Sequence, residues 1–116
     1  MSNSPLSIEQ SHSGVVRIVA LNGRVDSTSA NDVLVCLNNL ISAGEKAILV
    51  DLGGLLYLTS AAFRVLLVAT DEAERGAARL ALCNVIGHVR ELFEMGGLLD
   101  AFTIHGSREE GLAQLS

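Results

Sequence analysis

The sequence predicts a single α/β domain, in which a mostly parallel sheet of four or five strands is opened by an N-terminal hairpin and packed with about four helices. Short apolar runs typical of strands alternate along the chain with segments of helical periodicity, an order that favours a parallel sheet. The 116 residues suffice for one domain of ordinary size. Of these residues, 49% are hydrophobic and 18% are charged, which indicates a well-filled core.

The first part of the chain predicts a hairpin followed by a helix. Residues 6–10 and 15–21 have the pattern of short strands, and Ser13-Gly14 between them is typical of a turn. Any residue of the run Ser27-Thr28-Ser29 could provide the N-cap of the helix. The apolar residues then follow helical spacing over residues 30–41.

The rest of the chain alternates strands and helices. Residues 47–51 form an apolar run with its one polar residue at the end, as suits a strand buried on both faces of a parallel sheet. The Gly53-Gly54 pair after it is interpreted as a tight turn. Ser107 and Glu110 have the spacing of a capping box, which predicts a terminal helix. Further strands are expected at residues 79–83 and 102–104, and further helices from 59–60 to 76 and over 85–95.

Composition argues against several classes of function. The net charge is −5 without a basic cluster to neutralise phosphates, which argues against nucleic-acid binding. Mean hydropathy is +0.42, yet the longest aliphatic run, residues 65–69, is far shorter than the about 20 residues of a spanning helix. Residues 1–5 resemble no signal peptide, so a soluble, cytoplasmic protein without membrane insertion is expected. Cys36 and Cys83 lie in apolar segments and are interpreted as buried thiols rather than a disulfide.

The sequence contains no recognisable catalytic or metal-binding motif. His12, His88 and His105 are scattered without ligand spacing and are expected on the surface or in loops. Neither glycine-rich nucleotide motif is present. Ser60 follows a strand, but its context Leu-Thr-Ser-Ala-Ala is not a nucleophile elbow and no histidine is placed as its base. An enzyme is therefore not expected, and a hydrolase is the least favoured alternative.

The helix predicted from Ser60 is apolar almost all the way round in its first two turns. Charge appears only at Arg64 and then from Asp71 onward. Two interpretations stay open: a docking face for a protein partner, or a helix buried between the sheet and its neighbours. The two apolar stripes are Phe63, Leu66, Leu67 and Thr70, and beside them Ala62, Val65, Ala69 and Ala73.

Ser60 itself is a candidate site of phosphorylation. It falls in the first turn of this helix, where free N–H groups and the helix dipole favour negative charge. A phosphate would add up to about two negative charges beside the apolar face, and Arg64 one turn later lies within reach of it. The alternative is that Ser60 is merely the helix N-cap.

Residues 51–67 resemble the signature of STAS-domain anti-sigma factor antagonists. That signature has Asp-Leu-Ser, then Asp-Ser-Ser-Gly-Leu or Ser-Ser-Ala-Gly-Leu-Arg a few residues later, and a tail similar to Val-Leu-Leu. The matching stretches here are DLGG at 51–54 and TSAAFRVLL at 59–67. The resemblance continues through LNGRVD at 21–26 and VRELFEMGGL at 89–98, so it covers nearly the whole chain in the right order.

The resemblance implies that residues 1–116 form one STAS domain that binds proteins. The unmodified chain would bind an anti-sigma factor serine kinase that uses ATP, which frees a sigma factor to start transcription. The kinase would phosphorylate Ser60 and so release the antagonist, and a partner phosphatase would restore it. The ATP and Mg²⁺ would belong to the kinase, so no cofactor is expected in this chain. The partner-binding residues implied are Asp26, Thr59, Ser60, Ala61, Arg64 and Val68.

Three positions depart from the family pattern. Thr59 stands where many members have Asp, Ala61 replaces a second hydroxyl, and Ala62 replaces Gly. A second function stays open beside the antagonist: the STAS subunit or adaptor of a membrane transporter or larger signalling assembly, without a phosphorylation switch.

Overall fold

The computed structural model describes residues 5–116, so residues 1–4 of the polar N-terminus, on which the sequence-based localisation depends, lie outside the described residues. A five-stranded sheet is packed with four α-helices and one short 3-10 turn at Leu99–Ala101. The strands are β1 (Leu6–Ser13), β2 (Val16–Val25), β3 (Ala47–Leu58), β4 (Arg79–Cys83) and β5 (Ile104–His105). The helices are α1 (Ala30–Ser42), α2 (Ser60–Arg75), α3 (Gly87–Met95) and α4 (Arg108–Leu115).

The sheet confirms the predicted fold class. Its strands lie in the order β1-β2-β3-β4-β5, with β1 antiparallel to β2 and every later pair parallel. Connections between parallel neighbours are right-handed, so α1, α2 and α3 share one face of the sheet. The main core lies beneath these three helices, whereas α4 covers a smaller cluster on the opposite face that includes Leu49 and Leu115.

The longest strand corrects one sequence-based interpretation. β3 does not end at Asp51 in a glycine turn but continues through Gly53-Gly54 to Leu58. Its pairing with β2 shifts register between Ala20 and Asn22, which marks a bulge at the glycine pair. Gly54 lies opposite Asn22, and a Cβ at position 54 would overlap the Asn22 amide oxygen. The absence of a side chain at Gly54 therefore allows β3 to lie close to Asn22 of β2. Beyond this point β3 continues to Leu58, just before α2.

The other differences concern element ends. The hairpin turn lies at Gly14-Val15, one residue later than expected. α3 begins at Gly87 rather than Val85, which is buried, and β5 covers Ile104–His105 rather than residues 102–104. Phe102 is instead a core residue, 5.7 Å from the ring of Phe93. The predicted strand at residues 79–83 and the terminal helix are confirmed, and Glu110 donates its N–H to Ser107 Oγ.

Candidate functional site

The ends of β2 and β3 bring the two halves of the candidate site together. Val25 is paired with Leu58, the last residue of β3. The next residue, Thr59, donates its backbone N–H to the carbonyl oxygen of Val25 at 3.0 Å. Asp26 and Ser60 therefore begin two adjacent connections at the carboxyl edge of the sheet, where α/β proteins commonly place their binding sites.

Thr59 is the N-cap residue of α2. Its backbone is extended, with φ −92° and ψ 173°, and its carbonyl oxygen accepts from Ala62 at 3.0 Å and Phe63 at 3.2 Å. Its side chain, however, does not cap the helix. Among residues 5–116, Thr59 Oγ1 is the one buried side-chain oxygen or nitrogen without a hydrogen-bond partner.

Ser60 is the first residue of α2 and is exposed. The alternative that it is the N-cap is wrong, since Thr59 occupies that position. Within the described chain, the Ser60 hydroxyl has no hydrogen bond that would hold or activate it. An exposed hydroxyl beside the free N–H groups of a helix start is accessible to another protein and can carry an anionic group without disturbing the fold.

Asp26 holds the turn that leads into α1. Its Oδ1 accepts from the N–H groups of Thr28 at 2.9 Å and Ser29 at 2.8 Å and from the Ser29 hydroxyl at 3.1 Å. Ser29 Oγ in turn accepts the Asp26 N–H at 3.0 Å, a reciprocal arrangement like a capping box. The bonds from Ser29, backbone first and hydroxyl second, lower the pKa of Asp26. Ser29 of the Ser27-Thr28-Ser29 run occupies the N-cap position of α1, as the sequence predicts. Its side chain makes no capping hydrogen bond to the helix and bonds with Asp26 instead.

The interpretation of α2 as a buried helix is confirmed for one of its faces, whereas the other face is exposed. One face is buried against the sheet and α1, and it contains the small residues Ala62, Ala69 and Ala73 with Val65 and Leu66. On the other face Leu67 is 37% exposed and Val68 is 41% exposed. Arg64 is also exposed, and Ala61 is half-buried. Of the implied partner-binding residues, Ser60, Arg64 and Val68 are thus exposed on one helix.

An apolar groove of about 490 Å³ lies beside Ser60, between α2 and α3. We call it the Ser60 groove. Phe63, one of its lining residues, packs on the buried Phe93 in a T-shaped arrangement with the ring centroids 4.8 Å apart, which anchors this part of the lining to the core. Within the part of the chain that the structure describes, Arg64 is the only charged residue in its lining. The lining residues are Tyr57, Leu58, Thr59, Ser60, Phe63, Arg64, Leu67, Leu92, Gly96 and Leu98.

One wall of the groove carries a stack that sequence reasoning missed. The guanidinium of Arg24 lies 5.3 Å from the centroid of the Tyr57 ring, and the His88 ring stacks on Tyr57 at 6.1 Å. The three residues come from β2, β3 and α3. Only the register of Arg24 opposite Tyr57, set by a second irregularity after Gly23, brings them together.

A second missed cluster surrounds Asp51. This carboxylate is only 8% exposed and accepts from the Gly53 N–H at 2.8 Å, the Asn84 amide at 3.1 Å and the Arg108 guanidinium at 2.9 Å. Burial raises its pKa, but these three donors outweigh burial, so the pKa lies below its ordinary value. The cluster fixes the bulge of β3 and ties α4 to the sheet. An aspartate in an otherwise apolar strand predicts that donors from other segments surround it, because a buried charge requires hydrogen-bonding partners.

The remaining candidate groups are structural or dispersed. Cys83 is buried and Cys36 half-buried, and both are free; burial, with the Asp51 carboxylate second, raises the pKa of Cys83 to about 12. His12 and His88 are exposed and His105 is half-buried. Across residues 5–116, no three His, Cys, Asp or Glu side chains form a group that could hold a metal ion. In the same range no helix is long and apolar enough to cross a membrane.

Comparisons with known proteins identify the family of the chain. The model of the STAS domain family matches residues 7–111. By sequence, the chain is 36% identical over 96 residues to a Bordetella bronchiseptica protein named "Putative anti-sigma factor antagonist BtrV", with 83% of each chain covered.

Solved structures share the fold. An anti-sigma factor antagonist from Mycobacterium paratuberculosis superposes with a TM-score of 0.85 at 14% identity, covering 95% of this chain and 93% of that one. The Bacillus cell fate determinant SpoIIAA, in its phosphorylated form, gives 0.73 at 19% identity and covers 95% of this chain and 100% of its own. At these identities the likeness concerns the fold alone.

Proposed function

The chain belongs to the STAS domain family, and from that membership we propose that it is an anti-sigma factor antagonist controlled by phosphorylation of Ser60. Its unmodified form binds an anti-sigma factor serine kinase and thereby frees a sigma factor. Phosphorylation by the kinase releases the antagonist, and a partner phosphatase restores it. The chain acts in the cytoplasm as a binding module and not as an enzyme, and ATP is bound by the kinase.

The observation that carries this proposal is the position of Ser60. It is an exposed serine at the start of a helix, and it lines an apolar groove. A protein that packs into the groove necessarily approaches the hydroxyl. A phosphate there would place up to about two negative charges against the apolar surface of the partner, which favours dissociation.

The surface around Ser60 supports recognition by a folded partner. Leu67 and Val68 extend the apolar surface along α2, and Arg64 provides a positive charge between them and Ser60. The bond between Thr59 and Val25 brings the segment that begins at Asp26 next to the start of α2, which supports a role for Asp26 in the same surface. Since the Asp26 carboxylate is already held by Ser29, a partner meets it in a fixed orientation.

The proposal is tested by affinity capture from extracts of the native cells. Wild-type, Ser60→Ala and Ser60→Asp chains are compared, with Ser11→Asp on exposed β1 as a control for added charge. We expect a soluble ATP-binding kinase to be captured by wild type, Ser60→Ala and Ser11→Asp, and lost with Ser60→Asp. Capture of a membrane ATPase by all four chains would instead support the transporter-subunit function.

The captured kinase is then purified and incubated with ATP and the wild-type chain. Phosphate should appear on Ser60 by peptide mass spectrometry, and the Ser60→Ala chain should stay unmodified. Phosphate at another residue, or no phosphate on a chain that binds the kinase, would contradict the assignment of Ser60.

A further inference from the structure

Arg64 is unusual among the basic residues of this acidic protein. All eight lysines and arginines lie within residues 5–116, and the chain has a net charge of −5. Seven of them contact a carboxylate, a backbone carbonyl or, for Arg24, an aromatic ring. In the described part of the chain Arg64 has no hydrogen bond, ion pair or ring contact. Its guanidinium is therefore available to an anion that the isolated, unmodified chain does not supply.

Ser60 and Arg64 are four residues apart on α2 and both line the Ser60 groove. Side chains at this spacing lie on the same face of a helix, and the acidic-before-basic order is the favourable one. Among the residues from 5 to 116, no carboxylate lines the groove to compete for the guanidinium. The nearby Asp26 carboxylate is already engaged with Thr28 and Ser29.

Thr59 strengthens this arrangement. A carboxylate at position 59 would repel a phosphate on the adjacent Ser60 and would itself attract Arg64. Thr59 is neutral, and its buried Oγ1 lacks a hydrogen-bond partner. Among the described residues, the groove lining beside Ser60 thus contains one free cation and no carboxylate.

We propose that a phosphate on Ser60 is bound by the guanidinium of Arg64, so that phosphorylation removes from the Ser60 groove its one free cation. This inference rests on the proposed function only in that Ser60 receives a phosphate. In the unmodified chain, Arg64 faces the partner, and its charge suits a segment that brings a carboxylate beside apolar side chains. In the phosphorylated chain a bidentate guanidinium–phosphate pair forms within α2, and that partner carboxylate has no cation to meet.

The test uses the full chain with phosphoserine installed at position 60 during translation, so that no kinase is needed. The phosphate is titrated by ³¹P NMR in chains with Arg64, Arg64→Gln and Arg64→Lys. Arg75→Gln is the matched control, because Arg75 is on the same helix but pairs with Asp71 and Glu72 at its far end.

All four chains carry His88→Asn, which removes the imidazole stacked on Tyr57 from the surroundings of the groove. Further ionisable groups near this edge of the sheet, Arg24, Asp26, Tyr57 and Glu91, are the same in every chain. A shift that differs between the chains therefore reports on the substituted arginine.

We expect the second pKa of the phosphate to be lower with Arg64 than with Arg64→Gln by about 0.3 to 0.6 pH unit. Arg64→Lys should keep part of this difference, Arg75→Gln should keep all of it, and high salt should reduce it. Equal pKa values with Arg64 and Arg64→Gln would overturn the inference. That result would not bear on whether a kinase binds and phosphorylates the chain. Conversely, failure to capture a kinase would not change the outcome of this titration, because the phosphoserine is installed without one.

Discussion

The backbone N–H of Thr59 donates to the carbonyl oxygen of Val25 at 3.0 Å, and this single bond joins the end of β2 to the start of α2. It continues the β2–β3 pairing by one residue beyond Leu58. As a result Asp26 and Ser60, 34 positions apart in sequence, lie at the same edge of the sheet. A protein that binds at one of these residues would therefore also approach the other.

The hairpin depends on Gly23. This residue has φ +99°, and a Cβ there would overlap the carbonyl oxygen of Pro5, which accepts the N–H of Arg24 at 3.0 Å. We expect Gly23→Ala to lower the free energy of unfolding by about 2 to 4 kcal/mol. Gly14→Ala is the control, because Gly14 has φ +58° but open space around it. Urea denaturation measures the free energy of unfolding of both variants. An equal decrease for Gly23→Ala and Gly14→Ala would show that the positive φ alone, and not the contact with Pro5, causes the destabilisation.

Asp51 should make stability depend on pH. Its pKa in the folded protein is lowered, so its contribution is present above the unfolded value near 4 and is lost as pH falls through the folded value. We expect Asp51→Asn to cost about 1 to 3 kcal/mol at neutral pH. Below pH 4 the difference in free energy of unfolding between wild type and Asp51→Asn should become smaller.

Urea denaturation of both chains at pH 7 and pH 3 measures this gap. Asp100→Asn, at an exposed carboxyl in the 3-10 turn, serves as the control for a change of net charge. A gap for Asp51→Asn of the same size at both pH values would contradict the account of its hydrogen bonds with Gly53, Asn84 and Arg108.

Val68 tests the docking surface apart from the phosphorylation site. It is 41% exposed on α2, so Val68→Glu should leave the free energy of unfolding within about 0.5 kcal/mol of wild type. We expect the same change to weaken binding of the kinase at least tenfold, because it places a charge in an apolar interface. Val15→Glu is the control, since Val15 is 71% exposed at the hairpin turn. Equal binding by the two variants would exclude the α2 surface from the interface.

Local patterns were enough to predict most of the fold. The strand at residues 79–83 and the helix starting at Ser60 are clear because their apolar spacing is uninterrupted. The sequence pattern predicts that β3 ends at Asp51, because a glycine pair considered alone is as typical of a turn as of a bulge. Which of the two forms depends on Asn22, a residue on another strand that lies opposite Gly54.

The site was predictable only where its residues are neighbours in sequence. Ser60, Arg64 and Val68 share one helix, so helical spacing alone groups them. The stack of Arg24, Tyr57 and His88 needs the register of β2 against β3, and the bonds of Asp51 to Asn84 and Arg108 span 33 and 57 positions. No local pattern contains such contacts.

The most direct test of the central claim is the affinity of the purified kinase for two forms of this chain, unmodified and carrying phosphoserine at position 60. Calorimetric titration should give a dissociation constant at least about tenfold larger for the phosphorylated form, a difference of about 1.4 kcal/mol. Ser60→Ala should bind like the unmodified chain. Equal affinities for all three would contradict the account, and Ser60 would then be only the first residue of a helix that docks by its apolar face.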